Sequence, residues 1–531
     1  MRLGRSFYPV PELIMNTSNH VGFISHSGHR RIVRNFNPLF VCLYFCCGLG
    51  SLTAWAAQEP KPLELIASGD RRQLSPGIFG ASADPFYENL IGNAAKTAAD
   101  AITAPATVRF PGGTQANYYD WTTGKIYVQV YASSSAYTQF WGELAPKIDA
   151  AFPNGISLED YLPFAGAINA DVILVPNLQT STVSSQVAWF QRLANEEDLP
   201  NRIELGNEFY FAMNGDPNVE KQFPDVQTAT AIMKQYETAL RPYLSKDTKF
   251  AVQAAASDFY VQGKPDSAFA KRLVDWDRGL KPAMWFQAVT MHLYPDPTQL
   301  QQEPGGNTPD GLLKQLLGKY DSNTDQAITK LERKLPGKEI WITEWNPRGG
   351  GTGPDVVNVV TPAILTQAVT RMNLTTLKHA SVAKSLYFML DFSTAPWIAY
   401  VPSGDGYVPV PGTAILAWFN QAANAGGVYQ SYTEKDIRPE PAGPGSPNSY
   451  REIEAASFDS GTSRTLLLQN ATDQARPFEF KKFANGKTPQ QIEVIATPDL
   501  ASPQDQPVSI TSLPTTDPVV IPPYSLTRFI W

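Results

Sequence analysis

Arg202-Ile203-Glu204-Leu205-Gly206-Asn207-Glu208-Phe209-Tyr210 is a short apolar run ending in an amide and a carboxylate set side by side, with aromatics directly after. Further along, Lys338-Glu339-Ile340-Trp341-Ile342-Thr343-Glu344-Trp345-Asn346 repeats the design, a strand-like run that delivers an acid between Trp and Asn. Two carboxylates on rigid strand ends are the parts needed to protonate a leaving group and to attack the carbon behind it. The rest of the chain has to supply a scaffold that brings them together.

Outward from that first stretch, apolar runs alternate with helical periodicity. Strands are expected at Ile78–Ser82, Thr107–Phe110, Asp171–Pro176, Ile203–Glu208, Phe250–Ala255, Trp285–Met291, Glu339–Thr343 and Ser385–Leu390. Between and after them fall helical segments such as Glu88–Ala101, Tyr137–Ala151, Val226–Leu244, Leu312–Leu335 with a break near Ser322, and Ala363–Lys378. Eight alternations with right-handed crossovers make either a closed barrel or an open wound sheet, and the count favours the barrel. The fold class is therefore α/β, a (β/α)8 TIM barrel over residues 76–425. Its chemistry is expected at the carboxyl ends of the strands, where Arg109, Asn207, Glu208, His292, Glu344 and Asp391 all fall. After Gly426 the chain turns to short strands with turn-rich joins, among them Val428–Thr433, Arg451–Ala456, Val508–Ile510 and Ser525–Trp531. Residues 426–531 read as an antiparallel β-sandwich, and residues 57–75 are expected to lend it the strand Leu63–Ala67.

The chain has 531 residues, 43% of them hydrophobic and 18% charged, which describes a large globular protein. Arg30, Arg31 and Arg34 precede the apolar run Pro38 to Cys47, and Ala54-Trp55-Ala56 follows as a small-x-small processing site. That order implies a signal peptide over residues 1–56 and a secreted or periplasmic product, with Met15 as an alternative start. The competing reading is an anchor kept in the membrane; the processing site and the lack of a second apolar span favour removal, with no membrane insertion of the mature chain. Cys42, Cys46 and Cys47 all lie in this leader, so the exported protein has no disulfide and no thiol chemistry. The formal net charge is −7 and the charges are scattered, which argues against nucleic acid as a partner. Gly112-Gly113 and Gly349-Gly350-Gly351 lack nucleotide-binding spacing. Beyond the leader only His292 and His379 remain, His379 on an expected helix, so neither a metal nor another cofactor is expected.

Glu208, beside a second acid, is expected to hold its proton and act as acid and then base, with Glu344 as nucleophile. Glu204 and Glu339 are read as surface salt-bridge partners. Asn207 could donate to a sugar 2-hydroxyl or simply cap a turn. Arg109 and Tyr294 could each hydrogen-bond Glu344, and His292 could bind sugar or orient a neighbour. Trp345, Trp397, Tyr118 and Trp121 are candidates for stacking on sugar faces, with core packing as the default for each. Asp391 could bind a hydroxyl.

With these residues in hand the chain resembles clan A of the glycoside hydrolases, retaining barrel enzymes with acids after the fourth and seventh strands. Ile203 to Glu208 looks like the clan's Asn-Glu motif and Ile340 to Asn346 like its nucleophile strand. Val108 to Gly113 looks like its second-strand arginine segment, and His292-x-Tyr294 like its motif after strand six. A sandwich fed by both termini is similar to the arabinofuranosidase, β-xylosidase and heparanase/β-glucuronidase branches. The wording Gly112-Gly113-Thr114 and Leu205-Gly206-Asn207-Glu208 leans toward the last of these, whereas the Trp345-Asn346 pair does not. The resemblance implies a hydrolase of poly- or oligosaccharide, β-glucuronidase-like or acting on arabinofuranosides, xylosides or glucosides. A barrel that binds carbohydrate without catalysis is the rival class, and it would hold the two glutamates too far apart to react.

Overall fold

The computed structural model describes residues 61–531 apart from 87–88, 127–145, 215–216, 262–265, 349–358, 393–397, 425 and 503–505. The expected leader, Trp397 and the first part of the expected helix Tyr137–Ala151 lie outside the described residues.

Eight parallel strands form the central barrel, in chain order Phe79–Ser82, Thr107–Phe110, Asp171–Leu174, Arg202–Glu204, Lys249–Gln253, Ala288–Leu293, Glu339–Trp345 and Val382–Phe388. From the second strand to the eighth each pairs with the next in sequence, and the eighth returns to pair with the first through Ser385↔Phe79 to Phe388↔Ser82. The seam between the first two strands carries one backbone bond, from Ala106 N–H to the Phe79 carbonyl at 3.0 Å, so the barrel is nearly closed. Ile173, Ala251, Ala288, Trp341 and Leu386, from five different strands, pack together as a cluster of their own. Such a plug of side chains makes the interior a packed core and leaves the strand ends for chemistry.

Local chemistry sets the helices. Asn93, Ser157, Thr182, Asp225, Ser267, Thr308 and Thr361 each accept a backbone N–H at a helix start, so the first helix begins at Ala94, later than expected. The expected break in Leu312–Leu335 is a π-helical turn, Lys319–Thr324, between the helices Pro309–Gly318 and Asp325–Lys334. His379 lies beyond the helix Pro362–Thr376, contrary to the helical expectation, and its ring nitrogens face Asp325 and Glu332 at 3.3 and 3.4 Å.

In the C-terminal region the strands Gly427–Glu434, Ile453–Asp459, Arg464–Asn470, Ser525–Ile530 and Gln491–Ala496 form one antiparallel sheet in that spatial order. The N-terminal strand Leu65–Ala67 joins its edge, with Leu65 opposite Glu434 and Ala67 opposite Tyr432. Period-2 alternation divides the sheet's faces: Leu466 and Leu468 enter a core with Phe478, Ile521 and Phe529, while Leu467 joins the large cluster shared with the barrel. The strand expected at Val508–Ile510 is instead Thr511–Ser512, which pairs with Glu493 and Val494.

Candidate active site

The fourth barrel strand stops at Glu204, four residues short of the expected Glu208. Gly206 at φ +80° turns the chain, and a Cβ there would meet the Phe209 ring at 2.4 Å, so the turn demands glycine. Glu208 itself has φ +52°, a left-handed conformation uncommon for a residue with a side chain. Two amides hold this turn open. Asn117 accepts from Asn207 N–H at 3.1 Å and donates to the Asn207 carbonyl at 2.8 Å. Gln253 accepts from Phe209 N–H at 2.8 Å and donates to the Leu205 carbonyl at 3.0 Å. Sequence reading passed over both, because amides that serve backbone carry no motif.

On the seventh strand the register against the sixth jumps from Met291↔Ile342 to His292↔Glu344, skipping Thr343. Strict alternation would send Thr343 and Glu344 to opposite faces. The irregularity lets both reach the same cluster, as their hydrogen bonds to the Arg109–Glu204 pair show.

At the centre lies Arg109, fully buried on the second strand. Its Nε donates to Glu204 Oε2 at 2.8 Å, one terminal nitrogen to Glu344 Oε1 at 2.6 Å and the other to Asn207 Oδ1 at 2.8 Å. Tyr294 O–H donates to the other Glu344 oxygen at 2.7 Å. His292 Nδ1 lies 2.7 Å from Glu208 Oε1, and its Nε2 is 3.1 Å from Thr343 Oγ1. Gly113 follows the second strand, and a Cβ there would come within 2.9 Å of Glu344 Oε1, so glycine leaves room for the carboxylate. One donor atom from each of Glu208, His292 and Glu344 lies within 4.8 Å of the others. These three could converge on a cation, but the Arg109 guanidinium already supplies positive charge to Glu344.

The electrostatics follow from that packing. Burial alone would raise the Glu344 carboxyl; the charges of His292 and Arg109 and the Tyr294 hydroxyl outweigh it and hold it below the ordinary range. Burial would likewise lower His292, yet Glu344 and Glu208 hold it above the usual histidine value. For Arg109 burial is again opposed, by Glu204 and Glu344, and its charge is retained. Glu344 is therefore a buried, ionised carboxylate, and the Glu208 side chain is the more open of the two at 20% exposure against 7%.

No family model matches the sequence, and no curated protein sequence matches it either. Solved structures do match in three dimensions. An arabinofuranosidase of family 51 from Xanthomonas axonopodis pv. citri aligns over 88% of this chain and 97% of its own, with a TM-score of 0.60 and 14% identity. A family 44 xyloglucanase from Paenibacillus polymyxa covers 88% of this chain and 99% of its own, at 0.55 and 12%. A 4-O-α-L-rhamnosyl-β-D-glucuronidase from Fusarium oxysporum covers 88% and 100%, at 0.52 and 13%. The fold is that of the family 51 and family 44 glycoside hydrolases.

On this glycoside hydrolase fold several residues singled out from sequence sit elsewhere than expected. Trp345 is fully buried, edge-on to Tyr387 at 5.2 Å, because the strand sends it into the core away from Glu344. Asp391 is fully buried, its carbonyl accepting from Ala399 N–H at 2.8 Å. Tyr118 is buried, with its hydroxyl accepting from Gln179 at 3.2 Å, and Trp121 stacks on Trp189 and donates to Ser185 Oγ at 3.0 Å. Trp345, Tyr118 and Trp121 thus each have packing or hydrogen-bond partners within the fold. Glu204 is no surface residue: it is fully buried against Arg109. Glu339 does pair at the surface, with Lys249.

Proposed function

We propose that the chain is a retaining glycoside hydrolase that cleaves poly- or oligosaccharide by double displacement. The observation that carries this reading is the closeness of Glu208 and Glu344. Oxygens within 4.8 Å fit the roughly 5–5.5 Å of retaining enzymes and fall short of the roughly 6.5–9.5 Å of inverting ones. The same closeness supports this reading over a binding barrel without catalysis, which would hold the two acids farther apart.

In the first half the Glu344 carboxylate attacks the anomeric carbon as the bond to the leaving oxygen breaks, and Glu208 gives that oxygen its proton. The product is an ester of the sugar with Glu344, and the Glu208 carboxylate is left charged against His292. In the second half Glu208 takes a proton from water, the water oxygen attacks the anomeric carbon, and Glu344 departs as carboxylate. Asn207 Oδ1 faces a group that can only donate, Arg109, so its Nδ2 is fixed on the side away from that guanidinium. That Nδ2 is buried and unpartnered among the described residues, the condition for donating to the sugar 2-hydroxyl in the transition state.

Arg109 also bears on the sugar. Its arms are taken by Glu204, Glu344 and Asn207, so it is not the partner a uronic acid would need. This favours a neutral sugar, an arabinofuranoside, xyloside or glucoside, over the glucuronide. The basic, apolar and small-residue order of the leader supports export of the enzyme to its substrate. A panel of aryl glycosides covering these sugars and glucuronide, run with Glu208→Ala and Glu344→Ala and with azide rescue, tests the reading. Rescue of Glu344→Ala by azide with inverted product, and of Glu208→Ala with retained product, is the expected pattern. Equal activity in the wild type and both variants overturns it.

A further inference from the structure

We propose that Glu204 is a positioning residue that keeps Arg109 paired while Glu344 is esterified and fixes which nitrogen of His292 addresses Glu208. The inference rests on the double-displacement reading above. Glu204 touches neither reacting carboxylate. It ends the fourth strand, is fully buried, and contacts Arg109 through Oε2 at 2.8 Å and Thr343 through Oε1 at 3.2 Å.

Consider the Arg109 leg first. Before reaction the guanidinium faces two carboxylates, Glu204 and Glu344. Esterification removes the charge of Glu344, and a buried guanidinium left without a counter-charge is strongly unfavourable. Glu204 is the carboxylate that remains against it. With Glu204 present, formation of the sugar ester does not strand a cation, and Arg109 stays in place to receive Glu344 when the ester breaks.

The second leg runs to the acid/base. A carboxylate can only accept, so the Thr343 hydroxyl must donate to Glu204. Its oxygen is then the acceptor for His292 Nε2–H at 3.1 Å. When the His292 cation gives up a proton, Nε2 therefore keeps its own, and Nδ1, which meets Glu208 at 2.7 Å, is the nitrogen that loses it. The groups facing His292 are Glu204 at 3.9 Å, Glu208, Glu344 at 3.6 Å and Arg109, with Tyr260 O–H donating to the His292 carbonyl. Among these Glu204 reaches the ring through the Thr343 hydroxyl.

The two legs separate in kinetics. Glu204→Gln keeps the shape and removes the charge. With the dinitrophenyl glycoside of the sugar selected by the panel, the burst that reports ester formation should slow by about 10²-fold, the order seen when one charge-stabilising group is removed. Breakdown of the ester, followed by reactivation of enzyme trapped with the fluorinated analogue of that sugar, should run as fast as in wild type or faster, because it restores the Arg109–Glu344 pair. Thr343→Val spares every ion pair; it should shift the alkaline limb of the kcat/KM–pH profile and leave ester breakdown at a pH below that limb unchanged. Equal slowing of both steps in Glu204→Gln, or an unchanged profile in Thr343→Val, overturns the proposal; should the Gln variant not fold, the Thr343→Val profile decides. Failure of the wild type to form an adduct on Glu344 would instead overturn the hydrolase reading, a separate outcome.

Discussion

Two arginines with no exposed surface stand at two centres of buried charge, and they differ in what surrounds them. Arg109 lies in the barrel mouth between Glu204 and Glu344. Arg371, on the helix Pro362–Thr376, lies where the barrel meets the sandwich. It donates to Asp321 at 2.5 Å, to Gln469 at 2.9 Å and to the Arg451 carbonyl at 2.6 Å. Lys378 joins that second cluster through Glu454 at 2.9 Å. At the junction each arm of the arginine ends on a sandwich residue or on the π-helical turn that carries Asp321, and the result is a fastening. In the mouth the arms end on Glu344, one of the two paired acids, and on Asn207, whose side-chain N–H is unpartnered among the described residues. On the proposed hydrolase reading, buried charge serves stability in one region and reactivity in the other, and the difference lies in what the partners leave open.

Replacing each arginine by Met tests that division at its largest effect. Arg109→Met is expected to lower kcat/KM by about 10³-fold or more, since on the proposed mechanism it removes the donor that orients and ionises the nucleophile. Arg371→Met is expected to leave kcat/KM per folded molecule unchanged and to destabilise the fold by about 3–5 kcal/mol, the range for a buried pair broken on one side. Urea melts beside steady-state kinetics read both. A loss of kcat/KM in Arg371→Met comparable to that in Arg109→Met would mean that the two clusters are not separate devices.

Next in size is His292→Gln, which keeps a hydrogen bond to Glu208 but cannot carry a charge. A loss of about 10² to 10⁴-fold in kcat is expected, the range for general acid–base assistance, with binding of substrate little changed. The same variant sharpens the pH behaviour of the mouth. Glu344 is held below the ordinary 4.5, so its contribution to stability is present above that pH and is lost as pH falls through the lower folded value. His292 is held above the ordinary 6.5, so its contribution is full below that pH and is lost as pH rises through the higher folded value. The two act together from about 4.5 to 6.5. Melting temperature against pH should therefore decline on the alkaline side in the wild type and decline less there in His292→Gln. Parallel curves would remove His292 as a charged member of the cluster.

How much of this was legible in the sequence follows from the range of the forces involved. The eight alternations could be read because each strand and helix announces itself within a few residues, through apolar period and a capping side chain. Glu208 and Glu344 could be singled out because each closes an apolar run in the sequence. Glu204 could not: four residues from Glu208, it has the look of a surface acid, and only the closure of strands two, four and seven around one space buries it on Arg109. Which way Trp345 turns was hidden for a related reason. Its neighbour Glu344 reaches the mouth through a register irregularity that arises between two strands, and the indole is sent the other way into the core. Asn117 and Gln253 act on backbone groups of a turn whose positive φ values no local pattern predicted.

A third ion pair gives the comparison its smallest and most exacting case. Lys249 and Glu339, at the amino ends of the fifth and seventh strands, pair in the open, with side chains 41% and 30% exposed. Lys249→Met is expected to change stability by no more than about 1 kcal/mol, because an exposed pair is screened and its long side chains lose freedom in forming it. Glu339→Ala should behave otherwise. Glu339 also accepts from the Trp341 indole at 3.0 Å, and Trp341 is buried in the barrel plug. Removing that acceptor strands a donor out of reach of water and should destabilise by about 1–3 kcal/mol. Denaturant midpoints of the two single variants would separate them. If Lys249→Met destabilised as much as Glu339→Ala, the ion pair and not the indole would be what Glu339 contributes, and burial would no longer be the property that distinguishes the mouth and the junction from the barrel's lower rim.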